Sequence, residues 1–275
     1  LRQVKVRCIG PMVVALTTIG NGDVVAQSAP DLVRSMLEAH EARIEGVENY
    51  TLVQAVMGFE TETYFEKHTV EGRSVFRASF AELGGQRSSP ATGVEDVYAL
   101  GEDLARRSEY RGRERVGDYE VHVLDITDLR GTGFGSNVAQ DSEFEPIRGS
   151  VFLDAQSYVP RRFVFEGEMT RSGSAIPLTA IMEMGDYREV QGLLIPFRTV
   201  TTIEGLAAAI DPEVKAQFEE MQLELEALPA QQRAMIIELM AEQMEQFEAM
   251  MVDDSAPMVV EVLVTDVRVN KGGWN

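Results

Sequence analysis

Apolar positions recur along this chain with two different periods, and each change of period marks an element. Ser28-Ala29-Pro30-Asp31 has the form of a helix start, with Ser28 as cap, Pro30 in the first turn and Asp31 completing a capping-box pattern. Leu32, Met36, Leu37 and Ile44 follow at helical spacing, and Gly46 supplies a stop. From Val47 the period drops to two. Tyr50, Leu52, Gln54 and Val56 alternate with Thr51, Val53, Ala55 and Met57, then come 60–69, a Glu71-Gly72 turn and 74–80. This pattern predicts an antiparallel meander with short turns.

Residues 83–92 are rich in Gly, Ser and Pro and read as a loop, and 94–105 as a short second helix with Val94, Val97, Tyr98 and Leu104 roughly on one side. Strands resume at 110–116 and 119–126. A long irregular loop at 128–149 precedes a hairpin of 151–154 and 158–169 about Gln156-Ser157. The clearest hairpin is 182–204, where two β-favouring runs flank Gln191-Gly192. Gly192 is free to take the positive φ of a tight turn. Leu193, Ile195 and Phe197 fall on one face of its second strand. Pro196, which lacks a backbone N–H, belongs on an edge, at a bulge or near the strand's start. The last strand is 258–269. Met258, Val260, Val262 and Val264 alternate there with Val259, Glu261, Leu263 and Thr265, so the strand is largely apolar on both faces. Either a curved sheet with an apolar inner face or a thick sandwich produces that pattern.

Between the last two strands lies an insertion, 211–254, of another character. Asp211-Pro212-Glu213 opens a helix, and Val214, Phe218, Met221, Leu225 and Leu228 step by four and three. Pro229 breaks it, and Ile237, Met240, Met244, Phe247 and Met251 mark a second helix of a predicted hairpin. The formal net charge of the 275-residue chain is −20, and the insertion carries 12 of its 45 acidic residues against Lys215 and Arg233. Such acidity argues against nucleic acid as a partner, because phosphate binding needs a basic groove.

The first 28 residues read as a secretion signal: Arg2, Lys5 and Arg7, then an apolar run from Cys8 to Gly20 too short to span a bilayer, then small residues with cleavage expected near Ala26. Cleavage would remove Cys8, the sole cysteine. A thiol-free, disulfide-free remainder, 29–275, suits an oxidising compartment and reads as one domain.

Candidate chemistry is sparse. His40, on the first helix, and His68 and His122, within strands, are isolated and lack metal-ligand spacing. No G-x-S-x-G elbow is present, and Gly131-Thr-Gly-Phe-Gly135 precedes no helix that would hold phosphate. Glu166 and Glu168 share a strand face against a dense acidic background, a weak carboxylate pair. No enzyme activity, cofactor or metal is expected. The methionines of the insertion point instead to packing, or to cover over an apolar ligand.

Four pieces carry a resemblance. The run Tyr187-Arg-Glu-Val-Gln-Gly-Leu-Leu-Ile-Pro-Phe-Arg198 resembles a hairpin of the outer-membrane lipoprotein-sorting proteins, the LolA/LolB-like group. Tyr119-Glu-Val-His-Val-Leu-Asp125, Val151-Phe-Leu-Asp-Ala-Gln-Ser-Tyr-Val-Pro-Arg161 and Val267-Arg-Val-Asn270 stand in the order that group would place them. The resemblance implies an α+β fold: an open, incomplete antiparallel β-barrel with an N-terminal helix, a short central helix and here the inserted helical hairpin over an apolar face. It further implies a periplasmic carrier in a diderm bacterium. The partners would be lipid or acylated lipoprotein cargo, with envelope membrane proteins for loading and delivery. The alternative is an envelope sensor or scaffolding module that binds protein. Candidate cavity residues are Phe163, Phe165, Met182, Met184, Ile195, Phe197, Val260 and Val262, and Met240, Met244 and Phe247 are candidates for a lid.

Overall fold

The computed structural model describes residues 27–56, 58–70, 72–83, 86–88, 94–132, 144–171, 174–210, 212–234, 244, 248–250, 253 and 255–271. Residues 1–26 of the expected signal, the Gly-rich loop from 133 onward and most of the second insertion helix lie outside them.

Helix α1 (Ala29–Arg43) is capped as its sequence predicts: the Ser28 hydroxyl accepts from the Asp31 amide. A cap of this kind is worth about 1 kcal/mol. Strands β1 (Asn49–Val56), β2 (Phe59–Val70), β3 (Arg73–Leu83) and β4 (Gln86–Ser88) form the meander, and β4 falls inside the stretch expected to be loop. Helix α2 (Val94–Arg107) follows, then β5 (Ser108–Val116), β6 (Tyr119–Ile126), β7 (Phe144–Asp154), β8 (Pro160–Arg171), β9 (Ser174–Val190) and β10 (Leu193–Glu204). The expected loop 128–149 is thus too long by six residues. Phe144 to Gly149 pair with β8, although Pro146 and Gly149 hide the strand in the sequence. A short α3 (Leu206–Ala209), absent from the sequence reading, precedes the insertion, which opens with α4 (Pro212–Ala227). β11 (Met258–Val269) has the predicted bounds.

The eleven strands of the described residues join one antiparallel sheet in the order β4-β3-β2-β1-β11-β10-β9-β8-β7-β6-β5, which excludes the sandwich. Helix α1 touches β3, next to one end of that order, and also β5 at the other end, so the sheet curls around it. The result is an open, incomplete barrel with helices on its inner face. Pro196 sits near the start of β10, before the ladder to β11 begins at Arg198, where no N–H is required. Gln191 (φ 51) and Gly192 (φ 92) make the tight turn of the β9–β10 hairpin.

Two clusters fill the interior. The larger joins α1 (Leu32, Val33, Met36) and α2 (Val97, Tyr98, Leu104) to β6–β9. The smaller gathers Ile44, Val47, Tyr50, Phe76, Leu193 and Ile195 beneath the end of α1.

Candidate functional site

The resembling motifs converge at the end of the barrel where α1 finishes, and there they are locks. Asp154 accepts from the amides of Gln156 (3.0 Å) and Ser157 (2.9 Å), closing the β7–β8 turn, and pairs with Arg161 at 3.0 Å. The Arg161 guanidinium lies 3.7 Å from the Tyr119 ring centroid and 4.8 Å from that of Tyr187, and the Tyr187 hydroxyl donates to the Pro160 carbonyl. Each cation–π contact is worth roughly 0.5–2 kcal/mol, the higher figure where water is excluded. Arg43 donates to the Ser157 carbonyl, which ties α1 to the same turn. Asn270, with φ 53, accepts from the Glu48 amide at 2.8 Å and donates to the Gly46 carbonyl at 2.9 Å, which fastens β11 to the α1–β1 connection. Together these contacts tie α1, the β7–β8 turn, β9 and β11 to one another at this end.

Farther up the barrel, strand register lines up the candidate cavity residues. Residues directly opposite in neighbouring strands point to the same face. One cross-strand row runs Val151, Phe163, Met182, Thr201, Val260. The next runs Met184, Thr199, Val262, Val56. A third runs Phe165, Ala180, Ile203, Met258. Phe163, Phe165, Met182, Met184, Val260 and Val262 therefore share the inner face.

Exposure changes along the rows. Phe163 is 1% exposed, and it, Phe165 and Met184 are buried in the cluster that includes α1 and α2, with Met182 packed against its margin. Thr199, Thr201, Ile203, Met258, Val260, Val262 and Val56 are all half-buried. Val260 and Val262 belong to neither interior cluster. A mainly apolar strip on β10, β11 and β1 thus emerges from beneath the helices. Ile195 is buried and Phe197 half-buried in the second cluster, lower on β10, so these two are core rather than strip. Of the lid candidates, Met244 is helical and half-buried, whereas Met240 and Phe247 lie outside the described residues.

Thr199, Thr201, Ile203, Met258 and Val56 were not singled out from the sequence. Met182 and the β9–β10 turn suffice to find the two threonines and Ile203 by register. The pairing of β10 with β11 cannot be read that way, because the insertion separates them.

The buried polar groups lie elsewhere. His40, 6% exposed, stacks on Tyr98 with ring centroids 3.7 Å apart, and its Nε2 stands 3.6 Å from Glu95 Oε2. The other Glu95 oxygen accepts from the Tyr50 hydroxyl at 2.9 Å. Burial, reinforced by Arg43, holds His40 down to about 3, and burial lifts Glu95 to about 8 against the opposing Tyr50 bond. His122 is fully buried beside the Tyr110 hydroxyl at 3.1 Å, and burial lowers its pKa. His68 is exposed. The carboxylate pair is surface chemistry: Glu166 binds Arg148, and Glu168 points to solvent. Among the described residues no helix is long and apolar enough to cross a membrane.

No family model matches the chain, and no curated protein does. Among solved structures it is similar to an outer membrane lipoprotein-sorting protein domain from Vibrio parahaemolyticus, at 13% identity and a TM-score of 0.41, over 90% of this chain and 95% of that one. It is also similar to a DUF1329 family protein from Desulfovibrio piger, at 9% identity and a TM-score of 0.42, over 90% and 93% of the two chains. A further likeness is to MucB in complex with MucA, at 10% identity and a TM-score of 0.21, over 89% and 99%. The strand order of the chain itself, one open antiparallel sheet curled around α1, is the open-barrel fold that its sequence resemblance implies.

Proposed function

We propose that this chain is a non-enzymatic carrier of an apolar ligand, a lipoprotein acyl chain or another lipid, within a bacterial envelope. The observation that carries the reading is the half-buried strip Val56, Thr201, Ile203, Met258, Val260 and Val262, on the inner face of a curled sheet and continuous with a buried apolar core. A strip of this kind offers an acyl chain lateral contact without a charged anchor. Transfer of each methylene from water contributes about 0.8 kcal/mol, so ~14 methylenes supply on the order of 11 kcal/mol before the entropy of binding is subtracted. Phe163, Phe165, Met182 and Met184 extend the surface beneath α1 and α2, and Met244 belongs to the inserted segment that would cover it.

Native mass spectrometry of the chain purified from its own envelope tests this directly. Co-purified lipid or acylated peptide is the expected result, and a chain that neither carries nor takes up lipid refutes the reading. A second reading, a module that binds an envelope protein, draws on the opposite face of β11. Val259 and Leu263 are 37% and 41% exposed there. Protein bound with no lipid on the chain would favour it.

A further inference from the structure

Helix α2 is two half-helices joined at Gly101, whose φ of 49° and ψ of −122° are not helical. The second half is anchored. Glu102 meets Arg73 of β3 at 3.8 Å, the Arg107 side chain donates to the carbonyls of Asp128 and Arg130, and the Arg107 carbonyl accepts from the Thr127 amide. The first half holds on differently. Val97, Tyr98 and Leu100 pack in the same cluster as Phe163, Phe165 and Met184, and Glu95 gives it a buried polar attachment. One Glu95 oxygen takes the Tyr50 hydroxyl of β1. The other faces His40 of α1 at 3.6 Å, and both of those facing atoms are buried without a hydrogen-bond partner.

Two titratable groups in so dry a place are stable only together with one proton. A carboxylic acid opposite a neutral imidazole, or the ion pair formed by passing the proton across, leaves no net charge. Without the proton, a carboxylate is buried against a neutral ring with, among the described residues, the Tyr50 hydroxyl as its hydrogen-bond donor. Outside, the same carboxylate would be hydrated and well placed, since an acid in the first turn complements the helix dipole. The groups that act on the pair are Arg43 of α1, Tyr50 of β1, Asp96 and Tyr98 of α2 and Tyr187 of β9. Arg73 of β3 lies against Glu41 and Glu102.

We propose that Glu95 and His40 form a one-proton latch: the shared proton holds the first half of α2 against α1 and β1, and its loss frees that half-helix to swing about Gly101. The swing uncovers Phe163, Phe165 and Met184. That this admits an apolar ligand rests on the carrier reading, whereas the latch does not.

Hydrogen–deuterium exchange of the full chain, corrected for the intrinsic pH dependence of exchange, tests the latch. Between about pH 6.5 and 8 the protection of residues 95–100 should fall by up to about tenfold per pH unit, the slope of one released proton, and level off above that, while residues 102–107 keep theirs. Glu95→Gln should abolish that slope. A pH-independent wild type, or a Glu95→Gln variant that follows the wild type, overturns the proposal. Should Glu95→Gln fail to fold, Tyr50→Phe removes the bond that favours the carboxylate and should extend the slope to higher pH before it levels off; an unchanged upper limit overturns the latch. Uptake of the neutral dye N-phenylnaphthylamine over the same range separates the two ideas. Uptake that rises as residues 95–100 loosen supports both, and loosening with no uptake at any pH keeps the latch and refutes the carrier.

Discussion

Between about pH 6.5 and 8 the stability of this fold should decline, and the decline should trace to Glu95. In the folded chain burial raises its pKa from 4.5 to about 8, so between those values the folded state holds a proton that the unfolded state has released. Stability therefore falls as pH rises, by about 1.4 kcal/mol per unit where the difference is a whole proton. His40 acts in the opposite sense. Its pKa is lowered from 6.5 to about 3, so across that interval the unfolded chain binds the extra proton and stability rises with pH. From about 4.5 to 6.5 each state holds one proton on the pair and the two slopes cancel. Above 6.5 His40 is neutral in both states and the Glu95 slope stands alone, about 2 kcal/mol by pH 8. The acid side is less clean. His122, lowered by burial, shares it, and so does Asp154, whose burial is outweighed by hydrogen bonds from Ser157 and Gln156. The buried tyrosines Tyr50, Tyr98 and Tyr187 are raised and titrate beyond this window. Chemical denaturation at closely spaced pH values, wild type against Glu95→Gln, is the assay. The glutamine should keep an acceptor for Tyr50 and an N–H toward His40, and its stability should stay flat. Parallel declines in both proteins would refute the reasoning, as would a flat wild type.

Three further outcomes follow from packing and register. Phe163→Ala empties a buried site beside Phe165 and Met182 and should cost about 3–5 kcal/mol in denaturant unfolding. Gly167→Ala would place its Cβ 2.4 Å from the Glu145 carbonyl oxygen and 2.7 Å from the Phe144 ring, costing about 1–3 kcal/mol, whereas at Gly185, where a Cβ meets nothing within 4 Å, the same change should be near neutral in the same assay. Val262→Asp and Leu263→Asp put one charge on opposite faces of β11; dye uptake should be lost in the first and kept in the second, and equal effects would remove the inner face from the argument.

What the sequence disclosed depended on how local the cause was. The β9–β10 hairpin was legible because Gln191-Gly192 and alternation on both sides act within a few residues. Helix α1 was legible because Ser28, Pro30 and Asp31 are local chemistry. The start of β7 was missed because Pro146 and Gly149 look like loop, yet Gly149 is needed where a Cβ would lie 2.6 Å from the Val164 carbonyl. The resemblance was carried by residues that turn out to be locks: Asp154, Arg161, Tyr187 and Asn270 converge on one end although more than a hundred residues separate the first from the last. Such residues identify a fold and say little about a ligand. His40 was visible, but its partners Tyr50 and Glu95 were not, since no periodicity marks a contact between a helix and two later elements.

On the proposed carrier reading, the inner face of the sheet would serve two purposes, and the outer face explains why. Cross-strand pairs such as Arg148–Glu166, Arg162–Glu183, Arg198–Glu261 and Arg268–Glu62 line much of it, beside one small buried cluster of Val121, Val123 and Phe152 on β6 and β7. Largely solvated pairs of that kind contribute about 0–1 kcal/mol each. They favour the native register and solubility more than they hold the fold together. Cohesion must then come mainly from the inner face, where β6–β9 bury apolar residues against α1 and α2. If the proposed ligand also binds that face, its acyl chain competes with Val97, Tyr98 and Leu100 for the same wall. The half-buried strip on β10, β11 and β1 is the part that such an acyl chain would contact without displacing α2, and on the proposed latch the buried rows would open only when the first half of that helix moves. Substitutions should therefore separate: changes at Phe163 register chiefly as stability, and changes at Val262 chiefly as binding.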